Sequence, residues 1–269
     1  MSSLADIPSE SKCKQILYEI EHGGLITCIC GNKIIWKDNV AYGWCKQCRK
    51  QLYPKAGSLL KNSKLSCRQL FGLIWCWQHR QSPGSVMAAL NVSYTTIERW
   101  YERFRQYLPP DPMSMLSGVV EVDEAYFGKR RYDNQVIVIG AIERLVDPST
   151  NTKRLKLQII PDTEQDSLEL FLQNNVTRNS LVITDCHLGY SDIEWLGYGH
   201  ETWNHSKGHF AGTNHIEQVW SALKRYMRKL YGNIPTKDMQ LILNEWEARH
   251  NQPELFTSPE VFLKLVVGC

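Results

Sequence analysis

The run Leu108-Pro109-Pro110-Asp111-Pro112 constrains this chain more than any other feature, because no helix can pass through it. Each proline lacks a backbone N–H, and its ring clashes with the carbonyl four residues back. The hydrophobic pattern also changes across it. Before it, residues 58–108 carry helical spacing. After it, apolar residues fall into strand-like runs, Val119–Phe127, Gln135–Glu143 and Leu155–Ile160. A helix is expected over Glu164–Asn174, a fourth strand over Leu181–Asp185 and a fifth near His200–Asn204. Helices over Thr213–Leu230 and Thr236–His250 follow. That order is α/β, a mixed sheet flanked by helices.

Residues 1–24 read as a short polar helix, Cys13 to Glu21, ending at Gly23-Gly24. The turn-rich segment 25–57 holds Cys28-Ile29-Cys30-Gly31 and Cys45-Lys46-Gln47-Cys48 around a strand-turn-strand candidate, Lys33 to Tyr42. Four thiolates on two turns match tetrahedral Zn²⁺, which can fold a segment too small for its own core. The second pair has the usual C-x-x-C spacing, but the first is C-x-C, so Cys13 stands as a substitute ligand. Buried free thiols are the plainer alternative. A redox pair has no thioredoxin-like strand and helix around it. Nine cysteines, unevenly spaced, argue against a disulfide framework, and Cys67, Cys76, Cys186 and Cys269 read as packing residues.

Within residues 58–110, Leu65, Leu70, Leu73, Ile74 and Trp77 form one apolar face. Val86, Ala89 and Leu90 follow, then Asn91-Val92-Ser93, then Ile97, Trp100, Tyr101 and Phe104. A short helix, a tight turn and a second helix capped by Ser93 match a helix-turn-helix, with Asn91 suited to a left-handed turn position. The second helix would expose Tyr94, Thr95, Thr96, Arg99 and Arg103, which can reach base edges or phosphates. A purely structural three-helix bundle has the same pattern. Charge favours a polyanion: from Lys33 to Arg105 there are 13 Lys/Arg against 3 Asp/Glu, whereas residues 106–269 hold 16 against 21. An uneven but merely solvated surface is the competing explanation.

In residues 117–252, Asp123 lies in a strand, Asp185 ends another, and Glu217 opens a helix with Lys224 seven positions later. Carboxylates on two adjacent strands and one packing helix can converge on a pair of Mg²⁺ or Mn²⁺ ions ~3.5–4 Å apart. Asp123 would bridge the ions, Asp185 would bind one and Glu217 the other. Asn214 shares a helical stripe with Glu217 and Lys224, which makes it a rival or auxiliary ligand. Lys224 would hold a phosphate, and Arg225, Arg228 and Lys229 extend its positive charge. Glu121 and Glu124, which flank Asp123, are assigned to the opposite strand face and left out of the metal shell. Singly, each feature has a plainer reading, a turn aspartate or a solvated helix face.

A hydrophobic content of 43% and nine Trp support a packed core. There is no run of 18 apolar residues and no basic-then-apolar leader, so neither a membrane protein nor a secreted one is expected.

Four runs resemble the IS1595 / ISXO2-like transposases, relatives of the eukaryotic Merlin elements. They are Val120-Glu121-Val122-Asp123-Glu124-Ala125-Tyr126-Phe127-Gly128, Thr184-Asp185, Asn204-His205-Ser206-Lys207-Gly208, and the stretch from Thr213 to Arg225 through Asn214, Glu217 and Lys224. The resemblance covers about residues 25–250. It implies a zinc ribbon (25–57), a helix-turn-helix region (58–110) and a ribonuclease-H-like catalytic domain (117–252), with the N-terminal helix (1–24) and a C-terminal tail (253–269) read from the residues outside it. It implies a DDE-type transposase that binds the terminal inverted repeats of its element, cuts with Mg²⁺ and joins 3′ ends to target DNA. Asp123 and Asp185 match the first two metal ligands, and Lys224 the basic residue. The third ligand is Asn in some groups and Glu in others. Asn214 and Glu217 are both present, and Glu217 is favoured because a carboxylate offsets the cations' charge. The C-x-C pair departs from the family's usual C-x-x-C. Pairing two element ends implies a homodimer or larger synaptic complex, working in a bacterial cytoplasm at the nucleoid or in a eukaryotic nucleus. A catalytically inactive or domesticated DNA-binding derivative is the alternative, and a structure-specific nuclease or resolvase a third reading.

Overall fold

The computed structural model describes residues 3–21, 23, 27–37, 42–52, 63–111, 115–129, 134–144, 154–203, 213–232 and 236–267. The motif from Asn204 to Gly208 with His205, and also Cys269, lie outside the described residues. The first half of the chain forms α1 (Glu10–Glu21), β1 (Ile35–Lys37), β2 (Tyr42–Cys45), β3 (Lys50–Leu52), α2 (Cys67–Gln78), α3 (Pro83–Leu90) and α4 (Tyr94–Gln106). Then come β4 (Val119–Phe127), β5 (Val136–Glu143), β6 (Leu155–Ile160), α5 (Gln165–Asn175), β7 (Leu181–Thr184) and β8 (Gly199–Thr202). The last elements are α6 (Asn214–Tyr231), α7 (Met239–Asn251) and α8 (Pro259–Val267). Two compact units result, residues 1–109 with 254–269 and residues 110–253, divided within the proline run. No described helix is long and apolar enough to cross a membrane.

In the first unit, α2 is buried from Leu70 to Gln78 and forms the centre of a helical core. A capping box starts it: Ser66 Oγ accepts from Gln69 N at 3.1 Å, and Gln69 Oε1 accepts from Ser66 N at 3.0 Å. Pro83 opens α3, where no N–H partner is needed, and Asn91 closes it at φ +51° in the left-handed region. Ser93 occupies the N-cap position of α4, but its side chain does not cap. Its hydroxyl meets Thr96 Oγ1 at 2.8 Å instead of a helix amide, so the expected side-chain cap is corrected here. The C-terminal residues are more than a tail. Phe256 packs on Trp77 with ring centroids 5.1 Å apart, and Phe262 and Leu263 of α8 are buried in the same core. Gln78 Nε2 donates to the carbonyls of Leu255 and Ser258, each at 2.9 Å. Strands β1–β3 form a three-stranded antiparallel sheet beside α1, where Trp36 Nε1 donates to Ser11 Oγ at 3.1 Å.

The second unit is mixed α/β, with strand order β6-β5-β4-β7-β8. The β6–β5 and β5–β4 pairs are antiparallel, and β4–β7 and β7–β8 are parallel. Both faces are covered, which explains the near-continuous apolar character of β5. Ala125 and Phe127 of β4 pack with α6 and α7, whereas Val120 and Val122 pack with α5. Period-2 alternation therefore places the odd-numbered residues of β4 under α6. This layering gives Asp123 its neighbours.

Candidate functional site

The parallel ladder of β4 and β7 runs Val119↔Leu181, Val120↔Val182, Glu121↔Ile183. Asp123 and Asp185 each come two residues after the last of these pairs. Asp185 lies one residue past the end of β7, where its Oδ1 accepts from His187 N at 2.9 Å. Glu217 sits in the first turn of α6, exposed, with Thr213 Oγ1 donating to its Oε1 at 3.1 Å. Burial holds the Asp123 carboxyl above its usual range; a Trp220 hydrogen bond works against this, and the charges of Asp185 and Glu217 add to it. The three expected acids thus share one electrostatic neighbourhood.

Trp220, to which the sequence alone assigns no role in the site, contacts it directly: its Nε1–H donates to Asp123 Oδ2 at 2.9 Å. Gly140 makes that contact attainable. It pairs with Asp123 across β4 and β5, and a Cβ there would lie 2.5 Å from the Trp220 ring. A tryptophan four residues before Lys224 and a glycine inside a Val/Ile strand were the available signals.

The reading of Glu121 and Glu124 needs correction. Glu121 is two residues from Asp123 and shares its face, as alternation requires. It is fully buried and accepts from His215 N at 2.8 Å, Ile216 N at 3.1 Å and Arg144 Nε at 2.6 Å. Glu124 does face the other way, towards Tyr190, whose hydroxyl donates to its Oε1. Burial pushes the Glu124 carboxyl up to about 7; the Tyr190 bond lowers it and the charges of Asp123 and Asp185 raise it.

Lys224 stands with its Nζ 5.2 Å above the ring of Phe127, the residue four along β4 from Asp123 on the same face. Arg225, Arg228 and Lys229 are exposed further along α6, and Asn214 is exposed at its first residue.

In the first unit, the Sγ atoms of Cys28, Cys30, Cys45 and Cys48 all lie within 4.8 Å of one another. Cys28–Cys48 is 3.8 Å and Cys30–Cys45 is 3.5 Å. A ZnS₄ tetrahedron with Zn–S ≈ 2.3 Å has edges of about 3.8 Å, so this cluster can hold zinc. The short C-x-C turn is no obstacle, because Gly31 at φ +79° lets its N–H reach Cys28 O at 2.8 Å. Hydrogen bonds from the Asn32 backbone and side chain hold the Cys30 thiol down to about 6, which favours the thiolate that binds metal. Cys13 is not a substitute ligand. It is buried in the helical core, its Sγ is 3.4 Å from Pro8 O, and burial pushes its thiol up to about 12.

On α4, Tyr94, Thr95 and Arg99 are exposed and Thr96 and Arg103 half-buried, with the Arg103 guanidinium 5.2 Å from the Trp100 ring centroid. A cleft of about 460 Å³ opens beside them, lined by Ser63, Lys64, Asn91, Ser93, Thr96, Arg99 and Arg103 among others.

An uncharacterized transposase-like protein of Haemophilus influenzae is 30% identical over 114 residues, which is 41% of this chain and 91% of that protein. A chain in a simian T-cell lymphotropic virus intasome, solved in complex with PP2A regulatory subunit B56 gamma, is 13% identical with a TM-score of 0.32. That match covers 66% of this chain and 69% of the other, too distant a likeness to bear on the fold. The model of the ISXO2-like transposase domain matches residues 115–251, just over half of the 269 residues and the whole of the mixed sheet. The chain belongs to the ISXO2-like transposase domain family.

Proposed function

We propose that this chain is a DDE-type transposase that binds the terminal inverted repeats of a mobile element, cuts there with divalent metal and joins the ends to target DNA. One observation carries the reading: Asp123 and Asp185 each come two residues after the last pair of the parallel β4–β7 ladder, and Glu217, in the first turn of α6, acts electrostatically on Asp123. The strand order, with the unit's first strand central and bearing Asp123, supports a ribonuclease-H-like domain.

Asp123, Asp185 and Glu217 would hold Mg²⁺, whose preference for carboxylate oxygen the donor set fits. Among the described residues these acids do not gather as tightly as the four cysteines, and a two-ion site ~3.5–4 Å across accepts that wider span. When bound, such ions activate the attacking oxygen and stabilise the leaving one. The chain's own side chains do the rest. Trp220 fixes Asp123 through its Oδ2, and the His187 amide orients Asp185. Lys224, with Arg225 and Arg228, holds backbone phosphates, and Asn214 assists at the start of α6.

Helices α2–α4 act as a helix-turn-helix. Helix α4 enters the major groove, with Tyr94, Thr95, Thr96, Arg99 and Arg103 towards DNA. The neighbouring cleft, which carries Lys64, Arg99 and Arg103 and no acid among the residues named, suits a phosphate backbone. Zinc at Cys28, Cys30, Cys45 and Cys48 is structural. The working complex contains at least two copies, one for each element end.

Asp123→Ala should abolish Mg²⁺-dependent cleavage of inverted-repeat ends while leaving their binding intact. Cleavage that survives in this variant refutes the assignment. A wild-type chain that binds repeat ends but cuts under neither Mg²⁺ nor Mn²⁺ is a DNA-binding derivative instead.

A further inference from the structure

We infer that Glu121 is a positioning residue of the carboxylate site: it grips the first turn of α6 and so decides where Glu217 stands relative to Asp123. This rests on reading Asp123, Asp185 and Glu217 as metal ligands. An acid buried two residues before Asp123 on the same face is the natural candidate for a further ligand, and its hydrogen bonds exclude that role. Oε2 accepts from His215 N at 2.8 Å and Ile216 N at 3.1 Å. Oε1 accepts from Arg144 Nε at 2.6 Å and meets His215 Nδ1 at 2.6 Å. A carboxylate only accepts, so Nδ1 carries the proton in that contact. Four donors occupy the roughly four lone-pair directions a carboxylate offers, and none remains for a cation.

The need for such a grip is local to α6. A helix leaves its first N–H groups without intrahelical partners, and its N-terminus carries positive dipole charge. Thr213, the N-cap residue, makes no side-chain cap bond. Glu121 takes that role from the neighbouring strand, and Arg144 offsets its charge. Glu217 follows Ile216 directly, so displacement of the gripped amides displaces Glu217. The Trp220–Asp123 bond one turn later ties the same two elements together.

The test uses the full chain and Glu121→Gln, which keeps the shape but turns an NH₂ towards donors. In the metal-free protein, the amides of His215 and Ile216 should exchange with solvent at least tenfold faster than in the wild type. The Mn²⁺ stoichiometry should be unchanged, the Mg²⁺ concentration for half-maximal cleavage should rise about tenfold, and affinity for DNA should stay within twofold. If exchange rises but the metal requirement does not move, the cap is structural only and the inference fails. If one Mn²⁺ equivalent is lost with exchange unaltered, Glu121 is a ligand and the inference again fails. If Glu121→Gln does not fold, His215→Ala removes one donor and should shift the metal requirement about threefold the same way; no shift overturns the inference. A wild type that neither binds Mn²⁺ nor cleaves overturns the reading of the site together with the inference built on it.

Discussion

Glu124 and Asp123 are chain neighbours that meet different chemistry, because a strand turns successive side chains to opposite faces. Asp123 meets the Trp220 indole on the α6 side, while Glu124 meets the Tyr190 hydroxyl on the other. Burial raises the Glu124 carboxyl from 4.5 to about 7, so it binds more protons folded than unfolded across that interval. Its contribution to stability is therefore complete below about pH 4.5 and is lost as pH rises through about 7. Glu124→Gln, which can still accept from Tyr190, should remove that loss. In metal-free protein the loss of unfolding free energy from pH 5 to pH 8 should be smaller in the variant, by at most about 3 kcal/mol. Parallel pH profiles for variant and wild type would defeat this account. Alternation along β4 sets Glu121 on the face of Asp123, but its four donors come from Arg144, just past β5, and from α6, and no local pattern shows them.

Among the elements, α6 carries most of the site, and its placement on the sheet depends on a missing side chain. Trp220 and Ile216 lie against Gly140, where an added Cβ would sit 2.5 Å from Trp220 Cη2 and 3.0 Å from Ile216 Cδ1. Gly140→Ala would force the helix outward or the indole off its rotamer, an overpacking cost of roughly 1–3 kcal/mol. The expected result is a lower melting temperature together with weaker metal-dependent cleavage, since Trp220 loses its line to Asp123. A variant as stable and as active as the wild type would show that the helix seats without this close approach. Helix α4 owes less to such contacts. Its buried stripe of Ile97, Trp100, Tyr101 and Phe104 is periodic in the sequence, and its fold follows from that.

At the scale of the whole molecule, residues from both ends of the chain complete one core. Phe262 packs edge-on against Trp77 with ring centroids 5.1 Å apart, and it is fully buried. Phe262→Ala should destabilise the N-terminal unit by about 3–5 kcal/mol, read by chemical unfolding, and weaken DNA binding with it. Unchanged unfolding would mean that α8 is dispensable to that core. The sequence alone determined the elements, because period-2 and period-3.6 apolar spacing and proline chemistry act locally. Val119–Phe127 and Leu155–Ile160 were bounded as observed, and Cys28, Cys30, Cys45 and Cys48 do gather into one cluster in spite of the short first pair. Only the tertiary structure decided which partners Glu121 and Glu124 bond, that Trp220 touches Asp123, and that the C-terminal residues belong with the N-terminal helices. Those facts depend on strand register, helix seating and contacts between residues far apart in the chain, and no local pattern of side chains encodes distances of that kind.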